Sequence, residues 1–141
     1  MLEIIGIVLA GLALGVVAVL LTGVVRLRRM RSRHRERLAV IAPTHSAPAA
    51  LFGLASDGAH QTRGVGTVAM SDTQLMFVQL VPDREVLIER NDITSVQLTR
   101  TFMGSTATRD LVVLTWEANG LGDAVALSMD DADGWRSRLD A

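Results

Sequence analysis

The sequence predicts a mainly-β domain carried on one N-terminal transmembrane α-helix. The β part is expected to be an antiparallel sandwich or partly open barrel of six or seven strands, closed by a C-terminal helix. Three observations predict this. Residues 4–25 run without a charge. Beyond residue 49 the apolar spacing changes from steps of three and four to strict alternation. The chain then ends in an acidic-capped stretch with helical spacing. The division follows: residues 1–41 form the helix with a basic juxtamembrane extension (26–41), residues 42–49 a linker, and residues 50–141 the β domain.

The uncharged run, Ile4 to Val25, has 22 residues, 14 of them Leu, Ile or Val. At 1.5 Å per residue it makes a helix of about 33 Å, against a hydrocarbon core of about 30 Å. A cleaved signal peptide needs a positive n-region and a shorter apolar core, whereas this chain opens Met1-Leu2-Glu3. A buried core helix is disfavoured as well, because a domain of this size cannot cover an all-round apolar span. Gly11 and Gly15 form a G-x-x-x-G pair, extended by Gly6 and Ala10, which predicts close approach of two helices and a homodimer. The competing explanation is that glycine is common in transmembrane helices.

Charge fixes the orientation. Arg26, Arg28, Arg29, Arg31, Arg33, Arg35 and Arg37 follow the span with Glu36 as the one acid among them, a net charge of +6, and no Arg or Lys precedes it. The positive-inside rule places the N-terminus outside and the remainder in the cytoplasm. Each Arg near an anionic leaflet adds about 1 kcal/mol, so anionic lipid is an expected partner of the cluster. Leu27, Met30, His34, Leu38 and Ile41 continue the helical spacing to a break before Pro43. All 14 basic residues are Arg and neither Lys nor Tyr occurs, a usage that points to a GC-rich bacterium and hence to a bacterial plasma membrane.

Residues 38–141 carry seven Arg and 13 acids. That net of −6 argues against nucleic acid as a partner of the folded part, since phosphate binding requires clustered positive charge. The position of the Arg cluster directly after the span favours its topogenic reading over a nucleic-acid one. With no Cys, disulfides, thiolate metal sites and thiol catalysis are excluded.

The stretch Ala42–Ala49 holds two of the three prolines and reads as an extended tether. Strands are expected at 65–70, 74–81, 85–89, 95–102, 111–116 and 124–129, with a weaker one at 51–54. The turns between them fall at Ser71-Asp72-Thr73, Pro82-Asp83, Arg90-Asn91-Asp92, Met103-Gly104-Ser105 and Asn119-Gly120. Strand 74–81 is apolar on both faces, with Leu75 and Phe77 on one and Met76, Val78 and Leu80 on the other. The expected covers are the sheet partner and the closing helix; the sharper alternative is an exposed docking surface. Asp130, Asp131 and Asp133 open the closing helix, and Ala132, Trp135 and Leu139 share the stripe that meets the sheet.

The run Gly64-Val65-Gly66-Thr67-Val68-Ala69-Met70-Ser71-Asp72-Thr73-Gln74-Leu75-Met76-Phe77 resembles the second and third strands of bacterial pleckstrin-homology-like or GRAM-like domains. Residues 81–88 and 93–96 continue the likeness, and the Trp135 helix stands where such domains place theirs. The resemblance covers about residues 50–141. With the leader, it is similar to the membrane-anchored members of GC-rich bacteria. It implies a binding or scaffolding platform without catalysis. Eukaryotic relatives hold phosphoinositide headgroups through basic residues between the first two strands. Here that loop, Ser56–Arg63, offers Arg63 and His60 against Asp57, so headgroup binding there is not carried over.

No catalytic constellation converges. His34, His45 and His60 lie apart in sequence without ligand spacing and are expected to be solvated. Gly64-Val65-Gly66 lacks the third glycine and the following helix of a phosphate cradle. Asp131, Asp133, Gly134 and Asp140 match positions of a calcium loop, but Met129 stands where the first ligand belongs, and helix capping accounts for the acids. Arg84, Arg90, Arg100 and Arg109 are expected as solvated turn charges rather than a basic rim. The sequence thus points to a membrane-anchored, non-catalytic interaction module with a protein partner and no cofactor or metal. A lipid-recognising module acting at the inner leaflet is the alternative, and an enzyme a remote third.

Overall fold

The computed structural model describes residues 2–141, with side chains from residue 11 onward. Helix α1 runs unbroken from Leu2 to Leu38, and a single 3-10 turn, Ala39–Ile41, ends it. The stop is local chemistry: Pro43 disfavours the right-handed helical region for the residue before it, and Ala42 turns left-handed at φ 48°. Within α1 lies an apolar window long enough to cross a membrane, of mean hydropathy 1.8, and the rest of the chain buries none of it. The small-residue extension at Gly6 and Ala10 falls outside the described side chains.

Seven antiparallel strands follow: β1 (His45–Leu54), β2 (Gly64–Met70), β3 (Gln74–Leu80), β4 (Asp83–Glu89), β5 (Ile93–Phe102), β6 (Ser105–Ala118) and β7 (Leu121–Ser128). Helix α2 (Ala132–Asp140) closes the chain. The strands form one open sheet in the order β4-β3-β2-β1-β7-β6-β5. β1 is the pivot. Its first part pairs with β2 and its last part with β7, and a bulge at Phe52 separates Leu51, opposite Leu127, from Gly53, opposite Ala126. Bulges bend the strand that carries them, and the two halves of the sheet share one core. Ala49, Val68, Met70, Phe77 and Ile88 meet Val112, Leu114, Val125 and Leu127 there, with Trp135 and Leu139 of α2 among them.

The α2 stripe packs as its spacing requires, and its first turn is capped by Asp131, whose carboxylate accepts from the Gly134 amide at 3.2 Å. Arg90 serves the other end. Its guanidinium donates to the Arg138 carbonyl at 3.0 Å and to the Ser71 carbonyl at 3.3 Å, tying α2 to the β2–β3 turn.

Two expectations are corrected. The segment read as a tether, 42–49, is mostly strand: His45–Ala49 pairs with Met70–Gly66, so the β domain begins at His45. Pro48 is admitted because this part of β1 has β2 as its only neighbour and is locally an edge. β6 also starts early, at Ser105. Its polar beginning is held by the hairpin with β5 through a two-residue turn, Met103-Gly104, with φ 48° and 77°.

The doubly apolar strand β3 is covered on both faces, but the second cover is not the closing helix. Leu75 and Phe77 enter the main core, whereas Met76 and Val78, with Ala69 of β2, form a separate buried cluster with Leu38 and Ile41. The end of α1 therefore lies on the outer face of the sheet. Burying Leu38 and Ile41 contributes about 1.5–3 kcal/mol each as an upper bound. The adjoining ion pairs of Arg37 with Asp83 and Glu85, at 2.6 and 2.8 Å, are partly exposed and worth about 1 kcal/mol or less each. Apolar contact, not charge, decides the docking.

Candidate functional site

The helix–sheet junction gathers more of the candidate residues than any other place. Of the stripe read from spacing, Met30, His34, Leu38 and Ile41 turn toward the sheet, Leu38 and Ile41 buried and Met30 and His34 half-buried, while Leu27 stays exposed. At 100° per residue, the arginines then fall on two flanks of the docked face. Arg26, Arg29, Arg33 and Arg37 follow the β4 side. Arg28, Arg31 and Arg35 follow the β1 side.

The flanks differ in their neighbours. Arg37 is held by Asp83 and Glu85, which keep its guanidinium pKa above the ordinary value. It therefore belongs to the docking contact rather than to the exposed membrane-facing charges among which it was expected. No other arginine of the cluster forms an ion pair among the described residues. On the β1 side, α1 and the sheet enclose a groove of about 380 Å³. Arg31, His34 and Arg35 form one wall and Ser46, Pro48 and Thr67 the floor, with Leu38 and Pro43 at the inner end. No acidic residue lines it.

His34 was expected to be solvated and is not. Its Nδ1 lies 3.2 Å from the Thr67 hydroxyl, and its Nε2 is closed off without a partner. Burial first, and the Arg37 charge second, push its pKa below the ordinary 6.5. The unfolded chain therefore binds the proton more tightly than the folded one. Stability linked to His34 is complete above pH 6.5 and falls as the pH drops from there toward the lower folded pKa. Replacing His34→Gln is expected to flatten that part of the profile: the difference in melting temperature between pH 7 and pH 5.5 should be smaller in the variant. Equal differences in the two proteins would mean that His34 does not titrate on unfolding.

The remaining candidates resolve into structural roles. Gly11 and Gly15 lie on an open face, with nothing within 4 Å of a β-carbon at either position. Their groove, lined also by Leu12, Val16, Val19 and Leu20, accepts a second helix sterically. Replacing both glycines with Leu is expected to abolish self-association of the span in a membrane two-hybrid reporter; an unchanged signal would remove the pair as a contact.

Of the four arginines expected as solvated, Arg100 and Arg109 are exposed as expected, though each pairs with an acid, whereas Arg84 and Arg90 are half-buried in structural contacts. Arg84 holds Asp57 at 2.8 and 2.9 Å, Arg90 caps α2, Arg100 pairs with Asp110 and Arg109 with Asp130. In the β1–β2 loop, Arg63 lies over the Phe52 ring at 4.2 Å and donates to the Phe52 carbonyl, and Asp57 is taken by Arg84. That loop is braced internally. The groove residues Ser46, Pro48 and Thr67 carry no sequence signal, because their proximity to α1 arises only when the helix docks. No protein-family model matches the chain, and no curated protein matches it.

Proposed function

We propose that the chain is a membrane-anchored, non-catalytic interaction module of pleckstrin-homology-like type. Its β domain is held in one pose beneath the cytoplasmic leaflet of a bacterial plasma membrane, where it recruits a protein partner. The observation that carries this reading is the unbroken passage of α1 from its apolar window into the docking contacts on β2 and β3. A flexible tether would let the domain tumble; here the helix sets both its height and its orientation. The arginines after the span favour a cytoplasmic domain. The seven antiparallel strands closed by the Trp135 helix support the family resemblance.

Two experiments test the reading. Protease added outside intact cells should leave the C-terminal domain uncut; digestion would reverse the orientation. Crosslinking in native membranes should capture a discrete protein with the full chain. A variant with four glycines inserted after Arg29, which unlinks the pose from the span, should capture less of it. Equal capture would overturn the fixed pose, and capture no greater than that of the isolated span would overturn recruitment. A second reading, recognition of anionic lipid, is favoured by one specific observation: a groove without carboxylates in a domain that is otherwise acidic.

A further inference from the structure

We propose that the groove between α1 and β1 is a specific site for the phosphate headgroup of an anionic phospholipid from the leaflet that α1 leaves. The inference rests on the reading of α1 as a membrane span.

Position comes first. Arg31 is six residues past Val25, about 9 Å along the helix, and Arg35 about 15 Å. The headgroup layer is about 5–7 Å deep on each side. Arg31 therefore stands at the membrane-facing end of the groove, within one side chain's reach of the headgroups, and Arg28 continues the same stripe toward the lipid.

Charge comes second. The β domain carries a net −6, yet the lining of this groove holds two arginines and no acid. The opposite flank is different, since its inner arginine, Arg37, is already neutralised by Asp83 and Glu85. The β1-side stripe ends in a cavity.

The lining is the third argument. Two guanidinium forks suit the oxygens of a phosphate, and the Ser46 hydroxyl adds a donor on the floor, the Thr67 hydroxyl being shared with His34. Leu38, Ala39, Pro43, Ala47 and Pro48 give the cavity an apolar part that a free inorganic anion does not need and that the carbon skeleton of a headgroup alcohol, reaching past the phosphate, can use.

The test uses the full chain purified in a neutral detergent. Phosphatidylglycerol is titrated in and retained lipid is read by native mass spectrometry, with phosphatidylcholine and inorganic phosphate as separate arms. The variants are R31Q/R35Q and, as an equal-charge control on the other flank, R29Q/R33Q. The wild type is expected to retain one phosphatidylglycerol per chain in preference to phosphatidylcholine. R31Q/R35Q should weaken this about tenfold or more, and the control about threefold or less. Unchanged melting temperatures show that both variants are folded.

Equal loss in the two variants would overturn the site in favour of diffuse attraction. Saturation by inorganic phosphate at matching concentration would overturn the lipid as its occupant. No preference over phosphatidylcholine in the wild type would overturn it outright. Carbonate extraction of native membranes reads the anchor separately: a chain that stays in the pellet but shows no lipid preference loses this site and keeps its span.

Discussion

Replacing Gly66→Ala is expected to destabilise the β domain by about 3 kcal/mol, lowering its melting temperature by more than about 10 °C. Gly66 sits in β2 between Ala49 of β1 and Gln79 of β3. A β-carbon there would lie 2.1 Å from the Val78 carbonyl oxygen and 2.9 Å from the Phe77 ring. Flexible side chains can yield to such an intrusion. A backbone carbonyl in a strand paired on both sides cannot move without breaking its ladder, and Phe77 is buried in the main core. Gly122→Ala is the matched control, since its nearest neighbour is the Trp116 carbonyl at 3.8 Å, and it should change the melting temperature little. Circular-dichroism melts of the two full-length variants in detergent decide the matter. If Gly66→Ala melts within 2–3 °C of the wild type, the close β2–β3 approach is not a constraint on this fold.

The same crowding explains a neighbouring oddity. Gln79 is fully buried; its amide nitrogen donates to the Pro82 carbonyl at 3.1 Å, while its oxygen has no partner. A β-carbon on Gly64 would lie 2.4–2.5 Å from that amide. The glycines of β2 therefore make room for β3, its polar side chain at one point and its backbone at the next. In the sequence they look like the start of a phosphate loop, and their use here is purely steric.

What the sequence made legible was whatever depends on local pattern. The 22-residue uncharged run, the alternation in 95–102, the Asn119-Gly120 turn and the Asp131 cap each carry their cause within a few residues of chain. Contacts made across long separations were not legible. The first half of β1, His45–Ala49, looked like a tether because Pro43 and Pro48 disguise it, and because its partner, β2, lies about twenty residues further along the chain. The residues of β3 were correctly read as apolar on both faces, but whether the second face met α2, a partner or α1 depended on how far the first helix continued. The stripe Leu27, Met30, His34, Leu38, Ile41 held that information from Met30 onward. A stripe names a face and leaves its counterpart open.

That counterpart gives the second large effect. Leu38→Asp is expected to release α1 from the sheet while the main core stays folded. Leu38 is 4% exposed and touches the cluster of Ile41, Ala69, Met76 and Val78, where an unpaired carboxylate costs several kcal/mol. With the Leu38 contribution gone, the contact keeps only Ile41, about 1.5–3 kcal/mol at most, and the weak Arg37 ion pairs; the buried carboxylate offsets these, so undocking is the cheaper response. The main core, built around Trp135 and Phe77, includes none of these residues and should persist. Because the chain has no cysteine, and neither position belongs to the docking contact, spin labels introduced at Arg33→Cys and at the exposed turn residue Thr73→Cys report the pose without interference. The labelled wild type should give one narrow distance distribution by pulsed electron resonance, and so should Leu38→Met, which conserves volume. Leu38→Asp should broaden it by many ångströms. The freed face, Ala69, Met76 and Val78 beside the already exposed Leu87, then presents an apolar patch that should drive self-association at high protein concentration. A narrow distribution in Leu38→Asp would mean that the helix is held by something other than this contact, and both the fixed pose and the groove beside it would lose their physical basis.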